Sequence, residues 1–147
     1  MAIFFWFNTL DRHNFANIEF LDDKQVVKVV CGHFNSAALT RTGELYVWGR
    51  GLYGSEDVIV TRPKQIQIDK LVDISLRYKH ILAITADNRV YSWGYNKYGH
   101  CGVHSNSEWI NEPTLVPSLT DCDILQIKAG LSAGGCHSLI KCKAASL

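Results

Sequence analysis

An internal repeat constrains the fold of this chain more than any other feature of its sequence. Aligning Trp48 with Trp93 sets an offset of 45 residues, and eight of the 28 positions in residues 27–54 are then identical to those in residues 72–99. Both segments carry the pattern Tyr-x-Trp-Gly followed by Tyr-Gly. A period of about 40 to 50 residues predicts a repeat architecture, in which neighbouring units stack and bury a shared core.

Each unit has the pattern of short strands joined by tight turns. Runs of small, β-branched and aromatic residues predict strands at 36–40, 44–48, 81–85 and 89–93. Gly43 and Asn88 share one repeat position between paired strands, and both residue types tolerate positive φ, so we expect a hairpin turn there. Pro63 and Pro113 lead into segments 64–68 and 114–119, which we predict as outer, edge-like strands. No apolar stripe of helical period occurs, so we expect little helix.

Partial copies of the repeat stand at both ends of the chain. LQIKAG at 125–130 matches VKVVCG at 27–32, and IFFWFN at 3–8 matches the strand around Trp93. We therefore predict a single domain over residues 1–147. Its parts are a half repeat at 1–25, whole repeats at 26–71 and 72–124, and a half repeat at 125–147.

Composition excludes several classes of function. The 147 residues carry a formal net charge of +1, with 47% hydrophobic and 20% charged residues. This balance gives no electrostatic reason to expect nucleic acid or an anionic membrane as the main partner. The five cysteines form no Cys-x-x-Cys pair, which favours a reducing cytoplasmic or nuclear location. The apolar run at residues 2–7 lacks the flanks of a signal peptide, so we interpret it as a strand.

The segment GRGLYG, residues 49–54, matches the glycine pattern of dinucleotide-binding loops. The next unit has GYNKYG at the same place, with Asn96 where the middle glycine stands, which predicts a blade turn with positive φ. The residues that follow, SEDVIVTRP, offer no helix whose N-terminus could hold a pyrophosphate. We therefore expect no bound cofactor.

Two further patterns suggest chemistry. GLSAG, residues 130–134, has the spacing of a hydrolase nucleophile elbow, but no acidic residue follows it and only His137 lies downstream. His100, Cys101 and His104, or Cys136 with His137, could be drawn as metal ligands, yet no second paired set has zinc spacing. A hydrolase using GLSAG is therefore the less favoured alternative, and we expect no metal.

Four segments together carry a family resemblance: VVKVVCG at 26–32, NSAAL at 35–39, GELYVWG at 43–49 and NRVYSWGYNKYGHCG at 88–102. They resemble the repeats of the regulator of chromosome condensation family. The segment SLRYKHI at 75–81 departs from that pattern, because it lacks the Cys-Gly and His-Ser pairs.

The resemblance implies an all-β fold, a β-propeller of four-stranded blades, with seven blades as a rule. At about 45 residues per blade the chain holds roughly three blade equivalents: two whole blades and two half blades. We predict that residues 3–20 and 125–140 complete one blade between neighbouring chains or within one unusually curled chain, or else that the sequence is part of a longer propeller. The open strand edges also predict self-association.

The repeat assigns structural roles to glycines and tryptophans. Structural repeat positions are Gly32, Trp48, Gly49, Gly54, Trp93, Gly94 and Gly99. Trp6 falls at the position of the repeat tryptophans, and Cys31 falls at a family core position, where we expect a small buried side chain.

The resemblance also implies a non-catalytic protein-binding module. Such propellers include exchange factors for small GTPases of the Ran type and recognition domains of ubiquitin ligases; a structural subunit of a larger assembly is a further alternative. The loops 50–57 and 95–104 should line one face together, and Trp109, which we place in a long polar loop, could anchor a protein partner. The residues predicted to bind the partner are Arg50, Tyr53, Asp57, Tyr95, Lys97, Glu108 and Trp109.

Overall fold

A computed structural model describes residues 4–9, 12–51, 57–68, 70–132 and 135–143 of the chain; side chains are described from residue 18 onward, except at 128 and 130–136. The fold is all-β, as predicted. Its described helices are two single 3₁₀ turns, Glu19–Leu21 and Pro117–Leu119. Neither approaches the length or apolar character that a membrane-spanning helix needs.

Two four-stranded antiparallel sheets form the centre of the molecule. The first sheet consists of β3 (Val26–Cys31), β4 (Asn35–Thr40), β5 (Leu45–Arg50) and β6 (Ile59–Ile66). The second consists of β7 (Leu71–Arg77), β8 (His80–Thr85), β9 (Val90–Tyr95) and β10 (Trp109–Leu115). Strand order follows chain order in both, so each sheet is a four-stranded meander of the kind that makes one propeller blade.

Two hairpins flank these blades. One consists of β1 (Phe4–Thr9) and β2 (Arg12–Asn17), and the other of β11 (Ile124–Ser132) and β12 (Gly135–Cys142). Each hairpin forms its own two-stranded sheet, so the described strands do not join the two halves into one blade within this chain. The prediction of two whole and two half blades is confirmed, and closure within a single chain is not observed.

The turns between the second and third strands of each blade are the predicted hairpin turns. Gly43 has φ 87° and Asn88 has φ 64°, so both residues occupy the left-handed region. Their backbone amides donate to the carbonyls of Thr40 and Thr85 at 3.1 and 2.9 Å. Glycine and asparagine adopt this conformation at lower cost than most residues, which explains why these two residue types share the position.

The two prolines lie inside the outermost strands rather than ahead of them. β6 and β10 are the edge strands of their sheets, as predicted, and their register shifts between Val60 and Lys64 and between Ile110 and Thr114. Pro63 and Pro113 fall in these two irregularities, where a residue without an N–H group disturbs no ladder bond. The strand predicted for 114–119 is wrong beyond Leu115, because a 3₁₀ turn begins at Pro117.

The core runs between the sheets. One apolar cluster joins the first blade to the second and continues to Ile127 and Ala129 of β11. We call the contact between β3–β6 and β7–β10 the first seam, and the contact between β7–β10 and β11–β12 the second seam. A smaller cluster covers the outer face of the first blade, where Leu21 packs with Tyr46 and Trp48.

Cys31 does not occupy the predicted core position. It is exposed, whereas the residues at the same repeat position in the next two units, Leu76 and Ala129, are only 5% and 9% exposed. Leu76 and Ala129 each pack against the blade that precedes theirs. We call the first two strands of a blade its inner hairpin, and none of the described strands places an inner hairpin against Cys31. The side chain of Trp6, in β1, lies outside the described side chains.

Candidate functional site

The turns between first and second strands and the loops between third and fourth strands leave the sheets at one end, which we call the rim. Gly49 and Gly94 bring these two sets of connections together. Both glycines follow the repeat tryptophans and have φ 105°, and a Cβ would collide with the carbonyl of Phe34 at Gly49 and of Lys79 at Gly94. The glycine of the repeated Trp-Gly pair therefore lets the end of the third strand lie directly against the turn between the first and second strands. This contact holds the two sets of connections together at the rim.

A continuous set of aromatic rings crosses the rim from the first blade to the second. His33 stacks on Tyr78 with ring centroids 5.5 Å apart, and Tyr78 meets Tyr95 edge-on at 6.1 Å. Tyr95 in turn contacts Tyr98 at 6.4 Å and Trp109 at 5.1 Å. We call this the aromatic rim cluster: His33, Phe34, Tyr78, Tyr95, Tyr98 and Trp109.

Two rings of the cluster are strongly exposed. The side chain of Phe34 is 54% exposed and that of Tyr98 is 70% exposed. Phe34 packs on His33 at a centroid distance of 3.8 Å, and His33 in turn stacks on Tyr78. Exposed aromatic side chains that pack against neighbouring rings are typical of protein contact surfaces.

A buried lysine supports the centre of the cluster. Lys79 is 4% exposed, and its ammonium lies 4.9 Å from the ring centroid of Tyr78 and 5.8 Å from that of Tyr95. Its aliphatic stem also lies beside Gly51 of the first blade. Lys79 therefore joins the two blades at the rim and gives the aromatic surface a positive charge beneath it.

Asn96 organises the long loop of the second blade. Its side-chain amide donates to the carbonyls of Ser105 and Ser107 at 3.3 and 3.1 Å, and its Oδ1 accepts from the amide of Cys101 at 3.1 Å. A turn begins at Asn96 as predicted, with the amide of Gly99 donating to its carbonyl at 2.8 Å, but Asn96 is not among the residues with positive φ, so the conformation predicted from its alignment with Gly51 is wrong. Its side chain, rather than its backbone conformation, holds residues 96–108 against the blade.

A buried histidine crosses the second seam below the rim. His80 has no exposed surface, and its Nε2 lies 3.2 Å from Ser138 Oγ on β12. The Ser138 hydroxyl donates to the carbonyl of His100 at 2.7 Å, so its oxygen accepts from His80 Nε2–H. The ring of His100 packs edge-on against His80 at 4.7 Å.

This arrangement is a structural bridge and not a nucleophile with its base. Because the Ser138 proton is committed to a backbone carbonyl, His80 donates to the serine and cannot accept its proton. Burial, followed by the neighbouring His100 and His137, lowers the pKa of His80 to about 3, and burial also lowers the pKa of His100. Both rings are therefore neutral at physiological pH. A cavity of about 340 Å³ adjoins His100 and is also lined by Tyr98, His137 and Ser138 among others.

The structure shows where the two motifs considered for enzyme activity, GLSAG and GRGLYG, begin in the fold. The first three residues of GLSAG lie in β11, and Ser132 pairs with Gly135 of β12, so this serine stands in an antiparallel strand pair and not in the strand-to-helix turn of a nucleophile elbow. GRGLYG begins at the end of β5 and the chain continues into β6, another strand. Within the described part of the chain, no three acidic, histidine or cysteine side chains group as a metal site.

The predicted partner-binding residues lie at different places on the rim. Arg50 ends β5 and is exposed, and Asp57, Lys97 and Glu108 are exposed in loops. Trp109 is half-buried and begins β10, so its placement in a loop is wrong, and it packs on Tyr95. Tyr53 and Gly54 fall outside the described residues. The prediction omitted His33, Phe34, Tyr78 and Tyr98, although the alignment sets His33 opposite Tyr78 in the turns of neighbouring blades.

Sequence profiles of the Regulator of chromosome condensation (RCC1) repeat match residues 87–139, and also 26–55 and 72–99. The chain belongs to the RCC1 repeat family. Among its relatives, the mouse E3 ubiquitin-protein ligase HERC2 is 36% identical over 119 residues. That match covers 73% of this chain but 2% of the length of HERC2, so the RCC1-repeat chain corresponds to a small part of that relative.

Solved propellers have the same fold. The crystal structure of human WBSCR16 has a TM-score of 0.70 at 25% identity, covering 82% of this chain and 32% of WBSCR16. Prp20p from Saccharomyces cerevisiae, described for its binding to Gsp1p and histones, has a TM-score of 0.74 at 19% identity. It covers 97% of this chain, which in turn spans 37% of Prp20p. The RCC1-repeat chain thus has the structure of one arc of a β-propeller.

Proposed function

We propose that this chain is a non-catalytic protein-recognition module and that its partner docks on the aromatic rim cluster. The observation that carries the proposal is the continuity of the cluster, which spans two blades and exposes Phe34 and Tyr98 by 54% and 70%. Propeller loops present rigid surfaces, so a partner gains contact area without ordering a flexible segment. Arg50, Lys97 and Glu108 would supply the polar margin.

The relatives support substrate recognition in a ubiquitin ligase more than nucleotide exchange on a small GTPase. Similarity to HERC2 supports a substrate-recognition role of the kind a ubiquitin ligase needs, with ligation itself carried out by other domains. Likeness to Prp20p at 19% identity supports the fold alone, so exchange activity on a Ran-type GTPase is the less favoured proposal. We expect this chain to leave nucleotide release from such a GTPase at its spontaneous rate. Acceleration in a fluorescent-nucleotide assay would reverse the order of the two proposals.

A matched pair of phenylalanines tests the rim directly. Phe34 on the rim and Phe20 in the 3₁₀ turn at the opposite end are 54% and 55% exposed, so truncation removes similar surface from either site. In pull-downs quantified by mass spectrometry, Phe34→Ala and Tyr98→Ala should each lower recovery of bound proteins by about tenfold or more. Phe20→Ala should not. Equal losses from Phe20→Ala and Phe34→Ala, with all variants folded by circular dichroism, would contradict the proposal.

A second candidate function is that of a subunit completed by another inner hairpin. Val29 is 47% exposed, whereas Ile74 and Ile127, at the same repeat position, have no exposed surface because the preceding blade covers them. We propose that an inner hairpin like β11–β12, from a second copy or from a longer form of the protein, covers Val29. The chain alone should then self-associate in light scattering, and Val29→Glu should abolish that association. Val27→Glu is the control, because Val27, Val72 and Leu125 are all more than half exposed.

A further inference from the structure

Two cysteines meet at the open end of the β11–β12 hairpin. Cys142 is the last residue of β12 and pairs with Ile124, the first residue of β11, while Cys122 precedes that strand by two residues. The amide of Lys143 donates to the carbonyl of Asp123 at 2.8 Å, so the two chain segments stay paired beyond the ladder. Both cysteines are half-buried, and Cys122 is near enough to raise the pKa of the Cys142 thiol.

The other described thiols have different surroundings. Cys31 is exposed on β3 and accepts a weak contact from the hydroxyl of Ser36 at 3.8 Å. Cys101 is buried and donates to the carbonyl of Tyr95 at 3.4 Å. Of the four cysteines whose side chains are described, Cys122 and Cys142 are therefore the two that lie on neighbouring, paired backbone segments. Their sequence separation and the absence of a Cys-x-x-Cys motif hide this pairing from the sequence.

The backbone around Cys122 is attached to the second blade. Asn88, in the β8–β9 turn, donates from Nδ2 to the carbonyl of Cys122 at 2.5 Å and accepts from the amide of Ile124 at 3.1 Å. Cys122 thus belongs to the fixed side of the second seam, whereas Cys142 ends β12, the edge strand of its hairpin. A covalent bond between the sulfurs would tie this end of β12 to the second blade through Asn88.

We propose that Cys122 and Cys142 are a reversible redox modification site that forms an intramolecular disulfide with a glutathione-type disulfide as oxidant. One cysteine thiolate attacks the oxidant, forms a mixed disulfide and expels one glutathione thiolate. The second cysteine loses its proton, attacks the protein sulfur of the mixed disulfide and expels the second glutathione. The protein loses two electrons and two protons, and the oxidant becomes two glutathione thiols.

The surroundings of Cys142 set the speed of this exchange. Burial and the nearby Cys122 raise the pKa of the Cys142 thiol, so little of it is thiolate at neutral pH. Exchange at neutral pH should therefore be slow, on the scale of minutes to hours, and should accelerate as the pH rises. The disulfide crosslinks the hairpin, and the two cysteines do not act as a fast catalytic thiol pair.

Redox titration of the purified chain tests the proposal. The protein is equilibrated in buffers of graded reduced-to-oxidised glutathione ratio, the exchange is stopped by alkylation, and peptides are mapped by mass spectrometry. We expect a Cys122–Cys142 disulfide as the main oxidised product, and about tenfold or more of it in folded protein than in the same buffer with denaturing urea. The oxidised form should melt about 5 to 10 °C higher, because the bond closes a loop of some twenty residues.

Variants separate this site from random oxidation. Cys31→Ser should leave the disulfide unchanged, whereas Cys122→Ser should abolish it and leave Cys142 as a mixed disulfide with glutathione. Two outcomes would overturn the proposal. One is glutathione on Cys31 with Cys122 and Cys142 still reduced in the same sample, and the other is an equal yield of the disulfide in folded and unfolded protein.

Discussion

The two seams of this propeller arc are bridged from the same repeat position by different side chains. At the first seam Asn35 donates to the carbonyls of Arg50 and Tyr78 at 2.9 and 3.0 Å. At the second seam His80, 45 positions later, bonds to Ser138 at 3.2 Å. Both residues are at least 96% buried, so both bridges form away from water. The amide of asparagine does not titrate, whereas imidazole does, and the repeat has therefore placed a pH-sensitive group at only one of these two positions.

We expect the largest loss of stability at the two glycines that follow the repeat tryptophans, because both blades have them at the same position. Gly49→Ala and Gly94→Ala should each cost about 3 kcal/mol or more, because each forces an L side chain to φ 105° and into backbone atoms of the preceding turn. Gly99→Ala is the control, since its φ is 72° but its Cβ would meet no atom within 4 Å. It should cost about 1 to 2 kcal/mol. Urea unfolding measures all three, and equal losses would show that the close approach adds nothing to the strain.

Acid should break the second seam before the first. The pKa of His80 is about 3 in the folded chain against 6.5 for the free side chain, so the unfolded state binds the proton more readily. The free energy of unfolding is therefore highest above about pH 7. It decreases as the pH falls, by about 2 kcal/mol between pH 7 and pH 5. Urea titrations at several pH values measure this slope.

Exchanging His80 and Asn35 tests whether the histidine causes the difference in acid sensitivity between the two seams. His80→Asn gives the second seam the residue of the first, and it should flatten the pH dependence between pH 7 and 5 even where the shorter side chain lowers stability throughout. Asn35→His should add a comparable dependence at the first seam. A slope that survives His80→Asn unchanged would assign the acid sensitivity to other groups, His100 first among them, because burial also lowers its pKa.

A smaller effect distinguishes two serines at one repeat position. Ser138→Ala removes the partner of His80 Nε2 and frees the carbonyl of His100, so it should cost about 1 to 2 kcal/mol. Ser36→Ala removes only a 3.8 Å contact with Cys31 and should cost about 0.5 kcal/mol or less. Thermal unfolding of both variants at pH 7 provides the comparison. Equal costs would mean that Ser138 contributes no bridge.

The smallest effect concerns an ion pair at the first seam. Lys28 and Asp73, at equivalent positions of β3 and β7, form a hydrogen-bonded pair with side chains 34% and 32% exposed. Asp73→Asn should cost about 1 kcal/mol or less, and high salt should reduce the difference from wild type. Gln126 holds the next equivalent position, so the second seam has no matching pair. A cost that is independent of salt would point to the hydrogen bond rather than the charge.

Periodicity made much of the fold predictable. The positions of β4, β5, β8 and β9, the turns at Gly43 and Asn88, and the half-blade character of both ends all follow from comparing one unit with the next. The errors occur where equivalent residues have different neighbours. Cys31 is exposed because no inner hairpin of the described structure covers β3, and Asn96 holds its loop by its side chain, which a glycine at the same position cannot do.

The repeat, the strands of each blade and the glycines in their turns can be predicted from the amino-acid sequence, because strand and turn preferences act over a few neighbouring residues. Which side chains meet across the blades is visible only in the folded chain. The contact of His33 with Tyr78 in the aromatic rim cluster, the bridge from His80 to Ser138 and the pairing of Cys122 with Cys142 join residues 20 to 58 positions apart. Such contacts depend on the angle and depth at which blades stack, and no local pattern encodes that geometry.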